Sequence, residues 1–83
     1  MRQPIGFSPI PRQRLSDDLA ERILSSIAAG ELRPGDRLPT IQEMARSFRV
    51  APTTLREALV RLEEKRVLEI RHGTGVFVAA TAA

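Results

Sequence analysis

Two short amphipathic segments, separated by a turn of about three residues, constrain this chain more than anything else in it. Thr40 is followed three residues later by Glu43, a pairing in which each side chain can satisfy the other's backbone amide at a helix start. Ile41, Met44, Ala45 and Phe48 then share one face, and the pattern stops near Arg49. Pro52 suits the first position of a further helix, where its missing amide hydrogen would have no partner in any case. Behind it Leu55, Ala58, Leu59 and Leu62 repeat at the spacing of a single helix face. A short helix, a tight turn and a longer helix make a helix-turn-helix pattern.

The flanking sequence predicts what packs against this pair. Ser16 is placed to cap a preceding helix, with Asp17 and Asp18 in its first turn, where negative charge is favoured. Leu15, Leu19, Ile23 and Ile27, joined by Ala20, Leu24 and Ala28, form its apolar stripe, and Gly30 is a natural stop. Pro34 and Gly35 fit the two central positions of a type II turn, after which Leu38 starts a short strand. Beyond the second pattern helix, Val67 to Arg71 alternates apolar and charged residues as a half-buried strand does. His72 to Gly75 reads as a turn and Val76 to Val78 as the returning strand.

The expected fold is therefore mainly α with a small β-wing, a winged helix-turn-helix of three helices plus a β-hairpin. Its core is expected to hold Leu19, Ile23, Ile27, Phe48, Leu55, Leu59, Leu62, Leu68 and Ile70. Residues 1–14, with Pro4, Gly6, Pro9 and Pro11 and no apolar period, read as a flexible N-terminal arm. The folded domain spans 15–78, and 79–83 reads as the start of a linker to an absent domain.

Composition bounds the function. At 83 residues, 42% of them hydrophobic, the chain can build one modest core and no nucleotide-binding sheet or barrel. No apolar run reaches the roughly 18 residues that cross a bilayer. There is no cysteine and one histidine, so no thiolate or clustered metal site is expected. Nor is there a phosphate-cradling glycine loop or a nucleophile–base pair, and neither an enzyme nor a cofactor is expected. The net charge is +3, and twelve of the thirteen basic residues are arginine. Arginine grips phosphate or guanine through two parallel hydrogen bonds, but it is also an ordinary surface residue, so position must decide.

An arginine with an acid three or four residues away on its helix has a local partner. Arg22 has Asp18, Arg46 has Glu43, Arg61 has Glu57 and Glu64, and Arg66 has Glu63. Arg56 has none at those spacings, and it stands one turn into the third helix, off the apolar stripe. Such a residue can reach base edges or phosphate in the major groove of a duplex. Thr53 and Thr54 offer hydroxyls to phosphate and methyls to thymine, or simply begin the helix. Gln42 offers amide donors near the second helix's start, or is solvated. His72 at the wing tip fits the DNA backbone or minor groove, with Gly73 allowing close approach. The plain alternative for the glycines is a tight hairpin turn.

These segments resemble one family. Ile27-Ala28-Ala29-Gly30-Glu31-Leu32-Arg33-Pro34-Gly35-Asp36-Arg37-Leu38-Pro39 is similar to the opening segment of GntR-family transcription regulators. Val50 through Leu55-Arg56-Glu57-Ala58-Leu59 to Leu62 resembles that family's recognition helix, and Gly73-Thr74-Gly75-Val76-Phe77-Val78 its wing. The run Arg56-Glu57-Ala58-Leu59 is most like the FadR-type subgroup. The resemblance implies sequence-specific binding of a double-stranded DNA operator in a bacterial cytoplasm. The recognition helix, about 52–65, would enter the major groove, and the wing, 71–75, would meet backbone or minor groove. It also implies a homodimer in the full-length protein and a small-molecule effector bound by a further C-terminal domain. Three departures stand out. Ile41 and Gln42 replace a frequent acid–arginine pair, Arg49 replaces a common glycine, and Ala51-Pro52 replaces a serine or threonine followed by arginine. The competing function is a winged-helix protein-interaction module that does not bind DNA.

Overall fold

The computed structural model describes residues 12–80. Three helices, α1 (Arg12–Ala28), α2 (Ile41–Phe48) and α3 (Pro52–Glu64), precede two strands, β1 (Leu68–Arg71) and β2 (Gly75–Val78). This is the winged helix-turn-helix that the pattern predicts. Most of the expected arm, residues 1–11, and the last three residues of the expected linker lie outside the described residues.

Helix α2 starts where its sequence says it should. Thr40 Oγ1 accepts from the Glu43 amide at 3.1 Å, and Glu43 Oε1 accepts from the Thr40 amide at 2.9 Å. Pro52 opens α3, whose N-cap Ala51 has no side chain able to bond the first turn. Helix α3 is the centre of the molecule, packing against α1, α2 and β1. Leu55, Ala58, Leu59 and Leu62 on it are each at most 1% exposed, so its predicted stripe is the middle of the core.

All three helices end the same way, with a residue in left-handed conformation whose successor's amide bonds the carbonyl five residues back. After α1 it is Gly30, with the Glu31 amide bonding the Ser26 carbonyl at 2.9 Å. After α2 it is Arg49 at φ 58°, with Val50 bonding Ala45 at 3.0 Å, and after α3 it is Arg66 at φ 61°, with Val67 bonding Leu62 at 2.9 Å. These bonds occupy helix-end carbonyls that have no partner inside the helix.

Helix α1 differs from expectation at its start. It already runs at Arg12, so residues 12–14 are helix rather than arm, and Asp17 and Asp18 lie beyond the first turn. Ser16 is no cap. It is fully buried, and its Oγ donates back to the Gln13 carbonyl at 2.9 Å. Serine serves equally as a cap or as a small residue bonding back inside a helix, so its type alone does not mark a helix start.

The core also differs in depth. Leu19, Ile23, Leu55, Leu59, Leu62 and Leu68 are buried as expected, whereas Ile27, Phe48 and Ile70 are half-buried and pack on its edge. Leu38, Val76 and Val78 are buried in their place. Register explains the wing residues. Leu68 pairs with Val78 and Ile70 with Val76 on the inner face, leaving Glu69 with Phe77 and Arg71 with Gly75 outside. The segment before α2 adds to the free edge of β2, with Arg37 bridging Phe77 and the Leu38 amide bonding the Val76 carbonyl at 2.8 Å. That pairing covers the strand edge and turns Leu38 inward.

Candidate nucleic-acid interface

The site is built on three rigid pieces. Helix α2 presents its first turn through the Thr40 cap, α3 presents its exposed face, and the hairpin presents its tip. The tip is a three-residue loop, His72 to Thr74, closed by the Thr74 amide on the Arg71 carbonyl at 3.0 Å. Gly73 takes φ 75°, a conformation that favours glycine, with open space around it.

These pieces enclose one open cleft, and Gln42, Arg56, His72 and Gly73 all line it. Four of the six residues singled out from sequence are thereby brought together from three elements. Thr53 is exposed at the start of α3 but outside that cleft. Thr54 is not available. It is 6% exposed and faces the core, which withdraws its side chain from any bound duplex. Threonine's methyl tolerates an apolar setting, and its place one residue before Leu55 carries it inward with the stripe.

The cleft is also flanked by Arg37, which lies outside the contacts expected from sequence, and by Arg71, the first residue of the wing expected to meet DNA. Helical spacing carries no information about arginines in extended segments. The Glu69–Arg71 alternation was the available signal, because it put Arg71 on the wing's outer face. There the Arg71 Nε donates to Glu69 Oε1 at 3.0 Å, and its guanidinium lies 4.3 Å from the centre of the Phe77 ring. The hydrogen bond and charge of Arg71 hold the Glu69 carboxyl below its ordinary range.

The exposed α3 face carries Arg56, which has no ion-pair partner among the described residues, and Val60, which is 44% exposed. Several other charges have found partners different from those their spacing suggested. Arg61 bridges to Asp17 of α1, and Glu63 Oε2 accepts the Ile70 amide at 3.2 Å, fastening β1 to α3. No ion pair joins Arg22 to Asp18 or Arg66 to Glu63 among the described residues. Glu43 serves as a cap. The Thr40 hydrogen bonds, backbone first, lower its pKa, with help from the charges of Arg46 and Arg37.

No group of three or more histidine, cysteine or acidic side chains able to hold a metal ion occurs among the described residues. No described helix is long and apolar enough to cross a membrane.

Comparison with known proteins gives a consistent picture. Residues 15–78 match the family described as bacterial regulatory proteins, gntR family. Over 74 residues the chain is 42% identical to the mannosyl-D-glycerate transport/metabolism system repressor MngR of Escherichia coli, covering 89% of this chain and 29% of that protein. Among solved structures it is similar to a GntR family transcriptional regulator from Listeria monocytogenes (27% identity, TM-score 0.77), covering 90% of this chain and 61% of that one. It is similar, too, to the DNA-binding domain of AraR in complex with operator ORR3 (30% identity, TM-score 0.77), covering 95% of this chain and 93% of that one. The chain thus spans less than a third of the length of MngR and nearly all of the isolated AraR domain.

Proposed function

This chain belongs to the gntR family of bacterial regulatory proteins, and from that premise we propose that it binds double-stranded DNA as the operator-reading part of a transcription regulator. The observation that carries the reading is the convergence of Gln42, Arg56, His72 and Gly73 on one cleft between helix and wing. A duplex lying there would receive the exposed face of α3 in its major groove and the wing tip against its backbone or minor groove. The AraR domain, which this chain matches almost end to end, is seen on operator DNA.

Each residue has a distinct part. Arg56 reads a base edge, because it stands exposed on the third helix with its guanidinium unclaimed. Gln42 and Thr53 donate to phosphate, and His72 and Gly73 bring the wing tip against the backbone or minor groove. Thr54 is left out, being buried. The full-length protein works in the cytoplasm as a homodimer on paired half-sites, with its effector bound by a further domain.

Selection of bound duplexes from a random pool, followed by titration at two salt concentrations, tests the reading. Arg56→Ala should cost about 1–3 kcal/mol on the selected sequence and relax preference at one position. A pool that never enriches would remove sequence-specific reading. Loss of all duplex binding in the wild type would favour a protein-interaction module.

A further inference from the structure

Arg37 stands in an unusual setting for a surface residue. Its backbone bridges Phe77 at the free edge of β2, which puts its side chain on the outer face of the wing beside Phe77. A methyl group built on Gly75 would lie 2.8 Å from Arg37 Nε, inside contact distance. The guanidinium therefore lies directly across the glycine that opens β2. Its charge also reaches Glu43 in the first turn of α2, where it helps to hold that carboxylate ionised. No ion pair fixes Arg37 among the described residues, in contrast to Arg71, which is held by Glu69 and stacked on Phe77. Arg37 also lines the cleft that Arg56 and His72 share.

Gly75 itself takes φ 143°, so its backbone already favours glycine. The contact with Arg37 is a second and separate requirement, because any side chain there would push the guanidinium off the wing.

We propose that Arg37 is a DNA-backbone contact bridging the wing and the start of α2, and that Gly75 positions it by leaving room for its guanidinium. This rests on the DNA-binding reading above and adds to it a residue from outside the helix-turn-helix. The chemistry is that of a phosphodiester: an exposed planar cation, free of intramolecular carboxylates at bonding distance, is suited to a bidentate grip on phosphate oxygens. Phosphate contacts carry no sequence information, so the effect of Arg37 is the same on every duplex.

The test uses this chain and a fluorescein-labelled duplex of mixed sequence, titrated by anisotropy between about 0.05 and 0.2 M salt. Each phosphate contact contributes a slope of about −0.9 in log K against log salt, so Arg37→Ala should make the slope shallower by about one unit. Affinity should fall about fivefold near 0.15 M salt, on mixed-sequence and selected duplexes alike. Arg37→Lys should retain most of the slope. Gly75→Ala should lose a similar factor in the wild-type background and nothing further in the Arg37→Ala background, with circular dichroism used to work at temperatures where every variant is folded. Unchanged affinity and slope in Arg37→Ala, while the wild type binds, would refute this role and leave the DNA reading standing. A loss confined to one sequence would refute the phosphate assignment. Additive losses in the double variant would refute the positioning role of Gly75. Absence of any duplex binding by the wild type would overturn both readings.

Discussion

Replacing Arg49 by glycine should stabilise this domain while touching no contact in its core. Arg49 sits just past α2 at φ 58° and ψ 48°, in the left-handed region, so that its amide and that of Val50 can close the helix end. A left-handed conformation costs an L-residue about 1–2 kcal/mol, because its Cβ crowds the following carbonyl. Glycine removes that cost but gains freedom in the unfolded chain, which takes back about 0.4–1 kcal/mol. The difference spans about 0–1.6 kcal/mol, and its centre is a gain of about 0.5–1 kcal/mol. In a chain of this size each kcal/mol moves the melting temperature by about 4–8 °C, giving a rise of roughly 2–8 °C in a thermal melt followed by circular dichroism. Arg49→Ala is the control, because alanine keeps a Cβ and should gain nothing. Equal stabilisation by alanine and glycine would show that the arginine's charge, and not its backbone, was responsible. A lower melting temperature in Arg49→Gly would refute the strain argument outright.

Leu59 is 1% exposed at the centre of α3, and Leu59→Ala should cost about 2–5 kcal/mol in urea denaturation. A loss below about 1 kcal/mol would mean that the helix register is misassigned. Glu43 is held below its ordinary pKa in the folded state, chiefly by the Thr40 backbone amide, so the stability it contributes is complete above the unfolded carboxylate range. That contribution is lost as pH falls through the lowered folded pKa, and Glu43→Gln should flatten the acid limb of a melting-temperature profile. An unaltered acid limb would mean that the cap makes no net difference to stability. The Arg61–Asp17 pair is 33% and 56% exposed at its two side chains, so a double-mutant cycle should give a coupling below about 1 kcal/mol that fades with salt. A larger, salt-insensitive coupling would point to a pair that is effectively desolvated.

Local chemistry made much of this protein legible before any coordinates. The Thr40–Glu43 cap, the proline opening α3, the α3 stripe and the alternation of β1 all depend on residues within seven positions of one another, and all stand in the structure. Gly35, in its positive-φ turn, is of the same kind. The cleft residues Gln42, Arg56, His72 and Gly73 could be chosen from sequence because each lies at a start, a turn or an unpartnered face that local pattern defines. What the tertiary structure alone decided concerns neighbours distant in sequence. Ser16 became a buried helix residue rather than a cap, and Arg61 bridges to Asp17 of α1, a partner that its helical spacing does not indicate. Thr54 turned inward, while Leu38, Val76 and Val78 displaced Ile27, Phe48 and Ile70 from the deepest core. Arg37 reached the cleft only because its segment pairs with β2 across some forty residues of chain. Caps and periodicity are settled by hydrogen bonds and faces within a single element. Burial depth and the choice among competing ionic partners depend on which other element passes close by, and one sequence does not encode that distance locally.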